Sequence, residues 1–230
     1  MDFGSITTNI IKDGLVFNTD PANRASYPRT GTIATDTITS TISGSLESGA
    51  TFETNDNGIF SFDGVDDNIS VTTTNLSDTT ELTVNCWIKT SDITADGGSY
   101  RGYFATGPWN GKWKLSVNSS NGKIDMWSAG ASKLLSGTAL PTGEFVNVTY
   151  TYENNTGILY FNGSASNSAT YTLTHFLGKI YLGAGGYQNA NLTTTGMWNG
   201  SIGSTQIYNR ALSAEEVLHN YNGLRGRFGL

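Results

Sequence analysis

From residue 14 onward the chain is a succession of short apolar runs, each bounded by Gly, Asn, Asp, Ser or Thr. Leu82, Val84, Cys86 and Ile88 alternate with Thr83, Asn85 and Trp87, the period-two pattern of a strand buried on one face. Similar runs predict strands over 14–18, 58–62, 68–71, 81–89, 101–105, 112–117, 123–127, 144–152, 157–161, 179–183 and 200–208. Two pairs read as hairpins. One turns through Glu153-Asn154-Asn155-Thr156, the other through Asn118-Ser119-Ser120-Asn121-Gly122. Residues 28–57 are rich in Thr, Ser and Gly and lack periodicity, so a surface excursion is expected there. A single helix is predicted near the end. Ser213 and Glu216 form a capping box, Leu212 and Val217 a hydrophobic staple, and Gly223 is expected to terminate it. A short helix closing a β chain is expected to cover an edge or end of the sandwich. The outcome is an all-β antiparallel sandwich: a lead-in over 1–13, one domain over 14–223 and a tail over 224–230.

Composition agrees with this pattern. Apolar residues make up 37%, enough for a sizeable core, and 28 Gly against 4 Pro suit many tight turns. The formal charge of −6 carries no basic stripe, which disfavours nucleic acid and anionic membranes as partners. A lone cysteine, Cys86, lies in phase with core positions and allows no internal disulfide. The opening stretch, MDFGSITTNIIKDGLVF, carries no export signal, and no apolar run is long enough to span a membrane. Synthesis in a cytoplasm without a signal peptide is the expectation.

Several motifs resemble the concanavalin A-like lectin/glucanase superfamily, in its laminin-G-like jelly-roll branch. Asp13-Gly14-Leu15-Val16-Phe17 with Ser26-Tyr27-Pro28 is similar to the family's opening strand and loop. Phe62-Asp63-Gly64-Val65-Asp66-Asp67-Asn68-Ile69 resembles its F-D-G-x-D-D-Y-I signature, with Asn68 at the aromatic position. Leu82–Lys89 is similar to a central strand ending in W-[IV]-K, and Leu159-Tyr160-Phe161-Asn162-Gly163 to an L-Y-[IV]-N-G hairpin. Asn199–Ile202 and Ile207–Glu216 match its closing strand and helix. The segment Ala34–Glu47 departs from the family's W-x-D-L-S-G-N-x-N-x-G stretch. The ending Asn220–Gly229 resembles laminin-G-like proteins of tailed, especially marine, bacteriophages. The resemblance implies a jelly-roll fold and a place on a virion.

Candidate chemistry is sparse. Glycosidases of this fold resemble one another in an E-x-D-x-E array on one strand, and no glutamate here begins such an array. The densest acidic group is Asp63, Asp66 and Asp67, which reads either as a turn cap or as a calcium site of the kind some laminin-G-like domains carry. No other cofactor is indicated. His175 and His219 lack ligand spacing. Sugar binding needs exposed aromatics beside polar side chains. Tyr100, Trp109 with Asn110, and Tyr187 with Gln188 and Asn189 meet that description, whereas Trp87 and Trp198 fall at packing positions of the family. In the tail, Arg225, Arg227, Phe228 and Leu230 form a cationic, partly apolar end that either docks on a partner or folds back onto the helix.

The expected function is a non-enzymatic virion surface protein: a capsid decoration, head fibre or tail-associated adhesin of a tailed phage. Its expected partners are the major capsid or other virion structural proteins, with weak adhesion to host-surface or environmental glycans and a homo-oligomer in view. The alternatives are a free or cell-surface lectin and a polysaccharide hydrolase with an atypical site.

Overall fold

The computed structural model describes residues 10–72, 80–94, 100–106, 113–173, 178–185 and 196–230, together with the backbone of 187–188 and 191–192. In chain order the first nine strands are β1 (Leu15–Thr19), β2 (Ile33–Thr35), β3 (Ser43–Glu47), β4 (Thr51–Glu53), β5 (Ile59–Asp63), β6 (Asn68–Thr72), β7 (Leu82–Thr90), β8 (Tyr100–Thr106) and β9 (Trp113–Asn118). The rest are β10 (Lys123–Ser128), β11 (Ala131–Ala139), β12 (Val146–Glu153), β13 (Thr156–Phe161), β14 (Ser164–Thr170), β15 (Lys179–Leu182), β16 (Tyr187–Gln188), β17 (Asn191–Leu192) and β18 (Asn199–Tyr208). One helix, α1 (Ala214–Leu224), follows.

Two antiparallel sheets stack as a sandwich. The first runs β14-β13-β12-β7-β18-β5-β4, with β1 also on β18; the second runs β11-β10-β9-β8-β15-β6-β3-β2. The expected alternation holds in β7, whose Leu82, Val84, Cys86 and Ile88 enter the core between the sheets. They meet Phe104, Leu115, Val117, Ile124, Met126 and Ile180 from the second sheet. The β12–β13 hairpin turns through Asn154 and Asn155, both at positive φ (48° and 60°), the backbone that a two-residue hairpin loop matched to strand twist requires.

Three departures from the sequence pattern share a cause. The stretch 28–57 contains β2, β3 and β4, and β11 and β14 also form where no strand is predicted. These strands pair at or near sheet edges, and β14 (SASNSAT) keeps its side chains largely in solvent. Few of their side chains reach the core, Ala34, Leu46 and Leu134 among them, so the apolar signal along each strand is sparse and backbone pairing with partners remote in sequence contributes most to defining them. β11 and β14 close one side of the sandwich through bonds from Gly137 N to Ser166 Oγ (2.9 Å) and from Asn167 Nδ2 to the Leu135 carbonyl (2.8 Å).

The helix differs from expectation in place and length. Its capping box forms as predicted: Ser213 Oγ accepts from Glu216 N, and Glu216 Oε2 accepts from Ser213 N. It covers neither an edge nor an end, however, but the outer face of the first sheet. There Ile59, Trp87, Tyr160 and Tyr208 would otherwise expose a broad apolar surface, and Val217, Leu224 and Phe228 seal it. Gly223 lies within the helix; the chain continues into a 3-10 turn over Arg225–Phe228, which is capped by Gly229, in the left-handed region at φ 76°. The lead-in is tied down as well, since Ile11 N donates to Asn220 Oδ1 (2.8 Å) and Tyr208 Oη to the Ile11 carbonyl (3.0 Å). Among the described residues no helix is long and apolar enough to cross a membrane.

Candidate functional site

The helix and 3-10 turn lie on the first sheet, and the outer face of the second is open only toward β9–β11, around Lys114, Trp127 and Ser132, while Ala105, Ser116 and Tyr181 are buried. Pleating decides what it shows. In β10, Ile124 and Met126 point into the core, so Asp125 and Trp127 point outward; in β9, Leu115 and Val117 point in and Lys114 and Ser116 point out. Register then aligns Ser70, Tyr181, Ala105, Lys114, Trp127 and Ser132 in one row across six strands.

Around the Trp127 end of this row the side chains converge. The Lys114 ammonium lies 4.8 Å from the ring centre of Tyr100 and 5.4 Å from that of Trp127. Beneath it, Asp125 is fully buried. Its Oδ1 accepts from Ser132 Oγ (2.7 Å), and its Oδ2 has no hydrogen-bond partner. Burial pushes the Asp125 carboxyl up, with Ser132 and the Lys114 charge opposing that rise. Burial pushes Lys114 down, and Asp125 opposes that. The Tyr100 phenol is raised first by burial and then by the nearby Asp125 charge. Trp127 and Tyr100 are only partly buried, so their ring surfaces can meet a ligand while an ammonium and hydroxyls stand beside them.

Of the predicted sugar contacts, Tyr100 belongs to this cluster. Trp109, Asn110 and Asn189 lie outside the described residues. Tyr187 and Gln188 form β16, paired with β17, and their side chains are outside the description. The strand ends that flank 107–112, Thr106 and Trp113, stand at the far end of β8 from Tyr100. The chain flanking 186–195 instead packs near Tyr100, where Gly102 N donates to the Gly196 carbonyl (2.8 Å). Gly102 is required there, because a Cβ would stand 2.4 Å from Gly185 Cα and 2.5 Å from the Ala184 carbonyl oxygen. Lys114, Asp125 and Trp127 escaped the sequence reading. The outward phase of Asp125 and Trp127, alternating with inward Ile124 and Met126, was the signal available for them. Trp87 and Trp198 are fully buried, as packing residues are.

The acidic group forms a cluster: one oxygen from each of Asp63, Asp66 and Asp67 lies within 4.8 Å of the others. Asp67 Oδ2 accepts from Asp63 N (2.9 Å) and Asp63 Oδ1 from Val65 N (2.8 Å), so two of the carboxylates cap the β5–β6 turn. Burial, and secondarily the charges of Asp63 and Asp66, raise the Asp67 carboxyl. The donors suit calcium in kind and spacing, with water or backbone oxygens completing its six to eight ligands. As turn residues they already have work, and the Arg101 guanidinium packs against the same turn at Gly64.

The tail folds back. The Phe228 ring stacks on Trp87 at 4.3 Å between centres and meets Phe145 at 4.5 Å. Arg227 pairs with Asp20 (2.6 Å) and donates to the carbonyls of Asp56 (2.7 Å) and Gly58. Neither side chain is therefore free to dock on a partner without first leaving its own chain. The contact is with the sheet as much as with the helix, and of the four tail residues only Arg225 and Leu230 remain exposed.

Fold and surface together define a jelly-roll sandwich with one sealed face and one polar–aromatic face. The model of the concanavalin A-like lectin/glucanases superfamily matches residues 63–218, more than half of the chain, and the protein belongs to that family. Domain 4 of an extracellular GH43 arabinanase from Geobacillus stearothermophilus, solved with arabinotriose, is similar at TM-score 0.69 and 18% identity, covering 90% of this chain and 98% of that one. The binding domain of Botulinum neurotoxin serotype D is similar at TM-score 0.69 and 19% identity, over 92% of this chain and 51% of that one. Trypanosoma rangeli sialidase is similar at TM-score 0.67 and 16% identity, over 90% of this chain and 33% of that one. This chain thus spans about half of the toxin structure and a third of the sialidase. At such identities the likeness establishes the fold. No curated protein sequence matches the chain.

Proposed function

We propose that the protein is a non-catalytic adhesion module that binds glycan through the outer face of the second sheet and is carried on the surface of a tailed-phage virion. The observation that carries the glycan reading is the asymmetry of the two outer faces. The first is sealed by α1 and Phe228, while the second keeps Trp127 and Tyr100 partly open beside Lys114 and Ser132. Pyranose rings pack their C–H faces on aromatic rings, and their hydroxyls take hydrogen bonds from such neighbours. The arabinanase domain solved with arabinotriose supports the reading by analogy of fold. Strands β8–β11 supply this face with one carboxylate, Asp125, whereas paired-carboxylate hydrolysis needs two, about 5–10 Å apart. A glycan array followed by calorimetry tests the reading: binding lost in Trp127→Ala sustains it, and no binding across neutral and acidic polysaccharides refutes it. Release of reducing ends from β-glucans or agar-type polymers would overturn the non-catalytic part.

The virion placement is supported by the C-terminal segment 220–229, whose sequence resembles laminin-G-like proteins of tailed phages. Mass spectrometry of purified virions decides it, and absence of the chain from particles refutes it. A free lectin would keep glycan binding and be missing from particles.

A further inference from the structure

The charge of the molecule is not evenly spread. The whole chain carries −6, yet the strands of the second sheet hold five cations: Arg101, Lys114, Lys123, Lys133 and Lys179. Against them stand Glu47 and the buried Asp125, and Arg101, itself buried, is paired with Asp92 (3.6 Å), so the excess rests on the lysines. The first sheet reverses the balance, with Lys89 against Glu53, Asp63 and Glu153. On the outer face of the second sheet the Lys114 ammonium rests on two ring faces. Among the described residues it has no carboxylate at ion-pair distance and no hydrogen-bond acceptor.

We infer that the glycan taken by this face is anionic, a polysaccharide bearing uronate carboxylates or sulfate esters, with Lys114 as the anion contact and Trp127 as the stacking surface. The inference rests on the glycan reading above and adds the ligand's charge to it. A neutral sugar stacking on Trp127 must first displace the ammonium from the ring and offers it no charge in return. An anionic sugar displaces it from Trp127 as well, but its acidic substituent meets the ammonium's N–H donors while the contact with the Tyr100 ring persists. Lys179, whose ammonium lies 5.1 Å from the ring centre of the buried Tyr181, is a further cation on the same sheet. Asp125 opposes an anion, but one of its oxygens is held by Ser132 and the group lies beneath Lys114 rather than in contact with solvent.

Calorimetric titration of the full chain with oligogalacturonate, dextran sulfate and neutral dextran, at low and at high salt, tests this. Binding to one or both acidic ligands is expected, weakened by salt and exceeding that to dextran; which of the two binds identifies the anion. Lys114→Gln is expected to weaken acidic-ligand binding about tenfold or more, Lys114→Arg to retain it, and Asp125→Asn to strengthen it by removing the opposing charge. Circular dichroism of each variant reports the fold. Equal or tighter binding of dextran, or indifference to Lys114→Gln in a folded variant, overturns the anionic inference and leaves glycan binding standing. Absence of binding to all three, together with a silent glycan array, overturns both.

Discussion

Truncating Phe228 to Ala tests whether the tail is part of the fold. The ring is 7% exposed, stacks on Trp87 at 4.3 Å and touches Phe145 at 4.5 Å, and it also lies against Gly203. Removing a buried phenylalanine costs about 3–5 kcal/mol through lost transfer energy and the cavity left behind. A terminal turn can collapse into part of that space, which places the expected loss at the lower end, about 3 kcal/mol. For a chain of this size that is a fall in melting temperature of roughly 6–12 °C. Trp87, fully buried beneath the ring, supplies the local reporter. Equilibrium urea unfolding followed by tryptophan fluorescence measures the loss as a lower midpoint, and native-state acrylamide quenching should rise as Trp87 is uncovered. A loss below about 1 kcal/mol with unchanged quenching would refute the reasoning. It would mean that the tail does not cement the sheet and is free to insert into a neighbour.

Three further outcomes follow from the same geometry. Arg227→Met should cost about 3 kcal/mol, because it strands the buried Asp20 carboxylate and frees the loop carbonyls of Asp56 and Gly58; a double-mutant cycle with Asp20→Asn should show positive coupling in urea unfolding. Glu216 is held below the usual carboxylate range, chiefly by its hydrogen bond to Arg210. A depressed folded pKa adds stability above the unfolded value, about 4.3, and that stability is lost as pH falls through the folded value. Glu216→Gln should therefore lower neutral-pH stability by about 1 kcal/mol and flatten the acid limb of a melting-temperature profile. The Cys86 thiol is pushed up to about 12 by burial, so it should stay silent to a thiol-titrating disulfide reagent in the native protein and react once in denaturant.

The long buried strands were legible in the sequence because burial writes itself as alternation. Leu82 through Ile88 can be read directly, and so can the Asn154-Asn155 turn and the Ser213–Glu216 capping box, since each depends on side chains and backbone within a few residues. The acidic turn at 63–67 was legible for the same reason. Strands such as β14 and β2 were not, because partners remote in sequence, rather than their own side chains, make them strands. The candidate site belongs to this second kind. Tyr100 could be picked out as an aromatic beside a turn, but Lys114, Asp125 and Trp127 become a cluster only when the register of β8, β9 and β10 brings them together.

Sequence alone thus determined the sandwich class, the polarity of the strands and the closing helix, because those follow from local periodicity and short-range hydrogen bonding. Tertiary structure decided which part of the outer surface stays accessible, where the tail goes, and which side chains meet across strands. Those outcomes depend on apolar area shared between distant segments, and no window along the chain contains that information.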